Sequence, residues 1–440
     1  MERDIIKQLI HWKNKKARKP LIMKGARQVG KTFILKKFGE QEFEKSHTFN
    51  FEKDPKLAEI FEEDLDPIRI VRDLSLRQQK KIDIAKDLVV FDEIQYCPKA
   101  LTSLKYFQED LPDCYVCAAG SLLGIYLAPV SFPVGKVEHL SMYPMTFIEF
   151  LRALNDELSV ELLENITPTC HISALAHDHL WKRLKTYFIT GGLPEVVEIY
   201  RSQQKDEFNA FHNVRNKQED LIKDYFADIA KHSGKVNAMH INRIWQSIPD
   251  QLGMTHDGSA PKFKFKDVIL GIDRFSKFAG PIDWLEAAGL IIKVRIAHLS
   301  QLPLKSFVKE NTFKLFMFDI GILGAMMKLT PAVILEYDYG TYKGFFAENY
   351  IAQVLEGMNH GPLFSWSEKS AEIEFLRQVE DKIIPIEVKS GWVTKSKSLA
   401  VYNQKYQPEY MVIASANPLQ QEPSRRIHRY PLYAVSELLP

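Results

Sequence analysis

Short hydrophobic runs alternate with amphipathic stretches in the first third of the chain. The runs Leu21–Met23, Leu88–Phe91 and Cys114–Ala119 carry almost no polar side chains, as expected for strands buried on both faces of a parallel sheet. The segment SHTFNFEKD and the run from Val137 to Met142 predict two further strands, and the intervening stretches have helical spacing. The pattern therefore predicts an α/β core built on a parallel sheet.

The first predicted strand leads directly into a phosphate-binding motif. The sequence GxxxxGKT follows the strand and opens an amphipathic helix, in the order Gly25, Ala26, Arg27, Gln28, Val29, Gly30, Lys31 and Thr32. In this strand-loop-helix context, glycines allow backbone N–H groups to face phosphate oxygens at a helix N-terminus. We expect Lys31 to reach the β- and γ-phosphates of ATP and the Thr32 hydroxyl to bind Mg²⁺.

Two acids end the run at Phe91. Because the carboxyl ends of parallel strands form the ligand-binding edge of an open α/β sheet, Asp92 and Glu93 are expected beside the phosphate loop. Asp92 is predicted to hold Mg²⁺ through water, and Glu93 to orient and polarise the water that attacks the γ-phosphate.

Two more polar residues near strand ends are candidates for contact with nucleotide. Ser121 follows the run Cys114–Ala119 and is predicted to sense the γ-phosphate, although a simple Gly-Ser turn is a comparable interpretation. Lys136 precedes the predicted fifth strand and could reach the nucleotide of a neighbouring subunit, or could simply be solvated.

Beyond residue 145 the pattern divides into three segments. Residues 146–230 are helical, with a break at Gly191-Gly192-Leu193-Pro194, and predict a lid over the P-loop core of residues 1–145. Residues 231–320 predict three helices and a strand pair, the pattern of a winged-helix domain. Such domains bind DNA or protein, and the lysines at 262, 264 and 266 suit phosphates.

Residues 321–440 carry a second group of charged residues. Glu348 lies near the start of an amphipathic helix, Glu374 lies in a predicted strand, and Glu387 and Lys389 share one face of the next strand. Carboxylates and a lysine that converge are typical of metal-dependent phosphodiesterases. A solvated hairpin with a charged face is the alternative.

The amino-acid composition excludes several classes of protein. The 440 residues are 45% hydrophobic and 26% charged, with a net charge of +2 and four cysteines. These values exclude a disordered chain and a disulfide scaffold, and any basic surface must be local. No apolar run reaches the roughly 18 residues of a membrane span, and the N-terminus lacks a signal-peptide core, so we expect a cytoplasmic protein without membrane partners.

The order of motifs resembles a family of prokaryotic AAA-superfamily ATPases that carry a C-terminal, restriction-endonuclease-like domain of unknown function. The resemblance rests on KPLIMKGARQVGKTFILKKFG, LVVFDEIQ, SFPVGKVEHLSMYPMTFIEFL, FITGGLPEVV, AENYIAQVL, AEIEFL and PIEVKSG, in that order. It implies a nucleotide site at Gly25–Thr32, Asp92 and Glu93. It also implies an endonuclease-like site at Glu348, Glu374, Glu387 and Lys389, with Glu374 where the family usually has Asp.

The sequence therefore predicts an ATPase that uses Mg²⁺ and acts on or at DNA as a nucleotide-dependent switch. The alternative is an ATP-dependent protein-interaction switch whose nuclease-like domain has no activity. Whether the second site cleaves nucleic acid, and whether the chain self-associates, are left open by the sequence.

Overall fold

The structure, a computed structural model, describes residues 1–120, 133–233, 235–254, 259–336, 342–369, 371–391, 396–422 and 426–440. The chain forms two compact units. The first contains Met1–Tyr143 and Ala287–Gly289, and the second contains Pro144–Glu286 and Leu290–Pro440. Within the described residues, no helix is both long and apolar enough to cross a membrane.

The first unit is built on a five-stranded sheet. Its strands are β1 (Leu21–Lys24), β2 (Ser46–Asn50), β3 (Leu88–Asp92), β4 (Tyr115–Ala119) and β5 (Glu138–Ser141). They are ordered β2-β3-β4-β1-β5, and every pair is parallel. Its helices are α1 (Ile5–Lys13), α2 (Lys31–Glu42), α3 (Ile60–Glu63), α4 (Pro67–Gln78) and α5 (Pro98–Asp110). The predicted α/β class is confirmed, and this parallel sheet is typical of a P-loop NTPase core.

The register of the sheet brings the carboxyl ends of its strands to one edge. Asn50 pairs with Asp92, Asp92 with Ala119, and Ala119 with Met23. Any polar residue at the end of β2 or β3 is therefore close to the loop that follows β1.

Aromatic packing fixes the position of β3. The ring of Phe91 lies 5.9 Å from Phe51, 5.7 Å from Phe61 and 6.0 Å from Phe107, each in an edge-on arrangement. All four side chains are buried, and burial of each contributes about 1.5–3 kcal/mol. Because Asp92 follows Phe91 directly, this cluster anchors the end of the strand that carries the acids.

The second unit begins with helices and ends with a mixed sheet. Its helices are α6 (Phe147–Ala153), α7 (Glu157–Glu164), α8 (Ala174–Thr190), α9 (Pro194–Ser202), α10 (Glu207–Ser233), α11 (Lys235–Gly253), α12 (Phe275–Ala287), α13 (Ile320–Met326), α14 (Pro331–Glu336), α15 (Tyr342–Gly357), α16 (Lys397–Tyr406) and α17 (Val435–Leu438). Its strands are β6 (Ile291–Ala297), β7 (Val308–Met317), β8 (Leu363–Glu368), β9 (Ala371–Val379), β10 (Lys382–Val388), β11 (Met411–Ser415), β12 (Gln420–Glu422) and β13 (Ile427–Pro431).

The strand pair predicted as the wing of a winged helix belongs to this larger sheet. The strand order is β12-β13-β11-β10-β9-β8-β6-β7, with β6 parallel to β8 and antiparallel to β7. The predicted boundary at residue 320 therefore does not separate two sheets, because β6 and β7 extend the sheet formed by the strands that follow.

The helix break predicted at Gly191 and Gly192 is present, and a buried acid holds it. Gly191 has φ 68°, and the N–H of Gly192 donates to Asp319 Oδ2 at 2.7 Å. The other oxygen of Asp319 accepts from the N–H of Ile322 at 3.0 Å and so caps α13. A Cβ atom on Gly191 would lie 2.1 Å from Asp319 Oδ1. The turn between α8 and α9 therefore requires glycine.

Gly191→Ala is expected to destabilise the second unit by about 2–5 kcal/mol, since it combines a left-handed backbone with a steric clash. Urea unfolding followed by tryptophan fluorescence measures this, because five of the six tryptophans lie between residues 181 and 392. Gly280→Ala is the control, because no atom lies within 4 Å of its added Cβ. An unchanged midpoint for Gly191→Ala would contradict the role of this turn.

Candidate nucleotide site

The loop between β1 and α2 has the backbone of a phosphate cradle. Gly25, Gln28 and Gly30 all have positive φ, at 145°, 66° and 97°. A Cβ atom on Gly25 would lie 2.1 Å from the carbonyl oxygen of Met142, so this position excludes every residue with a side chain. Gly30 immediately precedes α2, whose first N–H groups have no partner within the helix and favour an anion.

Lys31 lies folded against its own loop. Its Nζ donates to the carbonyl oxygens of Gly25 at 2.9 Å and Ala26 at 2.8 Å, and the side chain is buried. The ammonium group is thus held over the loop by groups that a phosphate could replace as hydrogen-bond acceptors.

Oxygen donors meet beside the start of α2. Thr32 Oγ1 donates to Asp92 Oδ1 at 3.0 Å and lies 3.2 Å from Oδ2. Asp92 is buried at the end of β3. A hydroxyl and a carboxylate are the hard oxygen ligands that Mg²⁺ prefers, so the donor set fits the metal predicted from the sequence.

Glu93 occupies a left-handed conformation just beyond β3, with φ 51° and ψ 44°. Gln95 Nε2 donates to Glu93 Oε2 at 2.5 Å. Burial raises the pKa of Glu93 above its ordinary value, and the hydrogen bond from Gln95 and the charge of Lys31 partly oppose this effect. A carboxylate with a raised pKa beside a phosphate site is suited to accept a proton from water.

Two amides at this site, those of Asn50 and Gln95, were not predicted from the sequence. Asn50 Nδ2 donates to Asp92 Oδ2 at 2.7 Å, and Gln95 holds Glu93. The available signal for Asn50 was its position at the end of a predicted strand beside the acidic strand. Gln95 offered only its spacing of two residues from Glu93.

Ser121 and Lys136 are the other two residues predicted to contact nucleotide. Ser121 lies outside the described residues. Lys136 Nζ lies 2.9 Å from Glu109 Oε1 within the first unit, so it forms an ion pair on its own subunit.

The second group of predicted residues also lies together, within the second unit. Glu374 Oε2 accepts from the N–H of Val388 at 3.1 Å, and Lys389 Nζ lies 2.6 Å from Glu387 Oε1. Glu348 Oε1 accepts from the N–H of Ala260 at 3.0 Å. Burial and the nearby carboxylates of Glu387 and Glu348 raise the pKa of Glu374 well above its ordinary value.

Lys314, which was not predicted from the sequence as part of this group, neutralises part of the charge of the cluster. Its buried Nζ lies 3.4 Å from Glu348 Oε2 and 2.5 Å from Glu372 Oε1. Across the described ranges, no group of three or more His, Cys, Asp or Glu side chains is arranged to hold a metal ion. Lys314 and Lys389 each lie against a carboxylate of this cluster. The structure thus brings the four predicted residues together, and a metal-dependent phosphodiesterase site there stays a prediction.

Comparisons with known proteins support an AAA domain in the first unit and give no function for the second. Residues 17–151 match the family model of an AAA domain, and residues 182–333 match a domain of unknown function (DUF8612). Neither match extends to residues 334–440, so the endonuclease resemblance finds no support there. A search of curated proteins finds no match.

Solved structures show only remote likeness. An ORC1 protein of Aeropyrum pernix in complex with DNA is 14% identical, with 74% of this chain and 90% of that chain covered and a TM-score of 0.30. A RuvB variant of Thermotoga maritima is 13% identical, with 70% and 92% covered and a TM-score of 0.29. Likeness at this level carries no argument about function. The loop, the acids and the family match together identify residues 17–151 as an AAA-type P-loop domain.

Proposed function

We propose that this protein binds ATP with Mg²⁺ and hydrolyses it. The observation that carries the proposal is the contact of Thr32 with Asp92 beside the loop Gly25–Thr32. This contact places two Mg²⁺ ligands at the N-terminus of a helix that favours phosphate. A chance Gly-rich turn would not bring a buried acid from another strand to its last residue.

Each side chain has a separate task in the proposed reaction. Lys31 leaves the carbonyl oxygens of its loop and binds the phosphates. Thr32 and Asp92 would hold Mg²⁺, which offsets phosphate charge when bound. Glu93 orients the attacking water and accepts its proton, in the buried setting that raises its pKa.

Removal of the metal is the direct test. We expect purified protein to release phosphate from ATP in the presence of Mg²⁺ and to lose this activity in excess EDTA. Re-addition of Mg²⁺ should restore turnover, because the chain stays folded. Turnover that persists in EDTA would contradict the assignment of Thr32 and Asp92.

A row of exposed lysines supports DNA as the partner on which this ATP-dependent protein acts. Lys262, Lys264 and Lys266 are exposed, whereas Phe263 between them is buried and stacks on Phe313 at 6.1 Å. In the described part of the chain, none of the three has a carboxylate in ion-pair contact. A row of uncompensated cations is suited to a phosphate backbone.

Backbone hydrogen bonds hold this row in place. The N–H of Phe263 donates to the carbonyl oxygen of Phe313 at 2.9 Å. Gln251 accepts from the N–H of Lys264 at 2.8 Å and donates to its carbonyl oxygen at 2.9 Å. The segment is therefore fixed at Phe263 and at Lys264, and the lysines need little ordering when they bind phosphate.

Changing all three lysines to Ala is expected to weaken duplex binding and to flatten its salt dependence. Each lost phosphate contact removes about 0.9 from the slope of log K against log salt, so three remove about 2.7. Fluorescence anisotropy of labelled duplex at several salt concentrations measures both. A triple variant of the exposed residues Lys182, Lys205 and Lys397 is the matched control. No duplex binding by the unchanged protein would favour the alternative, an ATP-dependent protein-interaction switch.

A further inference from the structure

The two acids that end β3 are each held by a different amide. Asp92 accepts from Asn50 Nδ2 at 2.7 Å, and Glu93 accepts from Gln95 Nε2 at 2.5 Å. Asn50 ends β2, whereas Gln95 lies in the short 3₁₀ turn Ile94–Tyr96. The two amides thus come from different segments of the chain, although the acids that they contact are adjacent.

Hydrogen bonds fix which way the amide of Asn50 points. Its Oδ1 accepts from the N–H of Glu52 at 3.1 Å and of Lys53 at 2.8 Å. With the oxygen engaged twice, only the nitrogen can face Asp92, and a nitrogen donor is what an ionised carboxylate requires. Asp92 Oδ2 is thereby fixed, while Oδ1 faces the hydroxyl of Thr32.

The backbone at Glu93 brings Gln95 within reach. A left-handed residue at position 93 turns the chain back, so that a side chain two residues later contacts the Glu93 carboxylate. Gln95 is buried, and its Oε1 has no hydrogen-bond partner in the described structure. An orphaned acceptor next to the acid can receive a hydrogen bond from a water molecule held there.

We infer that Asn50 and Gln95 are positioning residues with separate tasks, Asn50 orienting Asp92 for the metal ion and Gln95 orienting Glu93 for the attacking water. The inference rests on the proposed ATP hydrolysis. The orientation of each acid is attributed to one amide, and each amide can be substituted separately. Loss of one amide should therefore affect one property and leave the other intact.

Asn50→Ala tests the first task through metal affinity. Loss of a support for a metal ligand typically weakens metal binding 10- to 100-fold. We expect the Mg²⁺ concentration for half-maximal binding of a fluorescent ATP analogue to rise by this factor, while binding of the analogue in EDTA stays unchanged. Gln95→Ala serves as the control and should keep the Mg²⁺ midpoint of the unchanged protein.

Gln95→Ala tests the second task through turnover at saturating ATP and Mg²⁺. Without the amide, the Glu93 carboxylate is no longer held in one orientation. We therefore expect kcat to fall by up to about 100-fold, while the Mg²⁺ midpoint stays unchanged. Raised Mg²⁺ should restore turnover to Asn50→Ala and should not restore it to Gln95→Ala.

Two further variants can replace an alanine variant that does not fold. If either alanine variant fails to fold, Asn50→Thr keeps a residue suited to a strand, and Gln95→Met keeps the volume of the buried side chain without the amide. An unchanged Mg²⁺ midpoint in Asn50→Ala together with unchanged kcat in Gln95→Ala would overturn the separate tasks, as would equal changes of both quantities in both variants. Absence of turnover in the unchanged protein would instead refute the proposed function itself.

Discussion

Lys31→Ala is expected to abolish ATP binding at concentrations that saturate the unchanged protein. Charge-assisted hydrogen bonds contribute about 1.5–3 kcal/mol each, so loss of the contacts to two phosphates lowers affinity at least roughly 100-fold. The chain should stay folded, because the ammonium group donates to carbonyl oxygens of its own loop, those of Gly25 and Ala26. Equilibrium binding of a fluorescent ATP analogue measures the loss.

The same helix supplies the control for this variant. Lys36 lies on α2 as well and is largely exposed, and within the described ranges its ion-pair contact is a long one, 3.9 Å to Glu40. Lys36→Ala removes the same charge from the same helix and should leave ATP affinity unchanged. If both variants lost affinity equally, the net charge of the helix would be responsible, and the phosphate-binding role of Lys31 would be wrong.

The geometry of the candidate nucleotide site could be predicted from the sequence because its parts are local. The loop Gly25–Thr32 is one continuous motif, and Asp92 and Glu93 end a short Leu/Val/Phe run of the kind typical of a buried strand. In both cases the chemistry and the element that presents it lie within a few residues. Their mutual position followed from one rule, that parallel strands end at the same edge of the sheet.

Residues whose role depends on pairing between distant segments could not be predicted in this way. Asn50 supports Asp92 only because β2 lies beside β3 in register. Lys314 lies within the apolar stretch FKLFMF and is buried beside Glu348 of a later helix. For the same reason β6 and β7 read locally as an isolated hairpin. Their place in the larger sheet depends on β8, which comes much later in the chain.

Glu93→Gln is expected to bind ATP normally and to hydrolyse it roughly 10²- to 10⁴-fold more slowly, the contribution of a positioned general base. The change keeps the length of the side chain, and an amide oxygen at this position can still accept from Gln95. ATP affinity should hold, because the phosphate contacts come from the loop and Lys31. Phosphate release at saturating ATP and Mg²⁺ measures the effect, and wild-type turnover would remove Glu93 from this role. Glu44→Gln, which changes an exposed acid paired with Lys86, is the control.

The same variant should also gain stability at neutral pH. Burial raises the pKa of Glu93 in the folded state, so its contribution to stability is present at low pH and is lost as the pH rises through the folded-state pKa. Glutamine does not ionise, so Glu93→Gln does not lose this stability as the pH rises. Thermal unfolding should therefore show Glu93→Gln above the unchanged protein at pH 7. The difference should vanish as the pH falls well below about 4.3, the ordinary pKa of glutamate, where the carboxyl group is protonated in both states. A variant that is slow and also less stable at pH 7 would indicate a damaged site and not the loss of a base. Slower turnover together with higher stability is the combination expected of an acid kept in a partly buried position for catalysis.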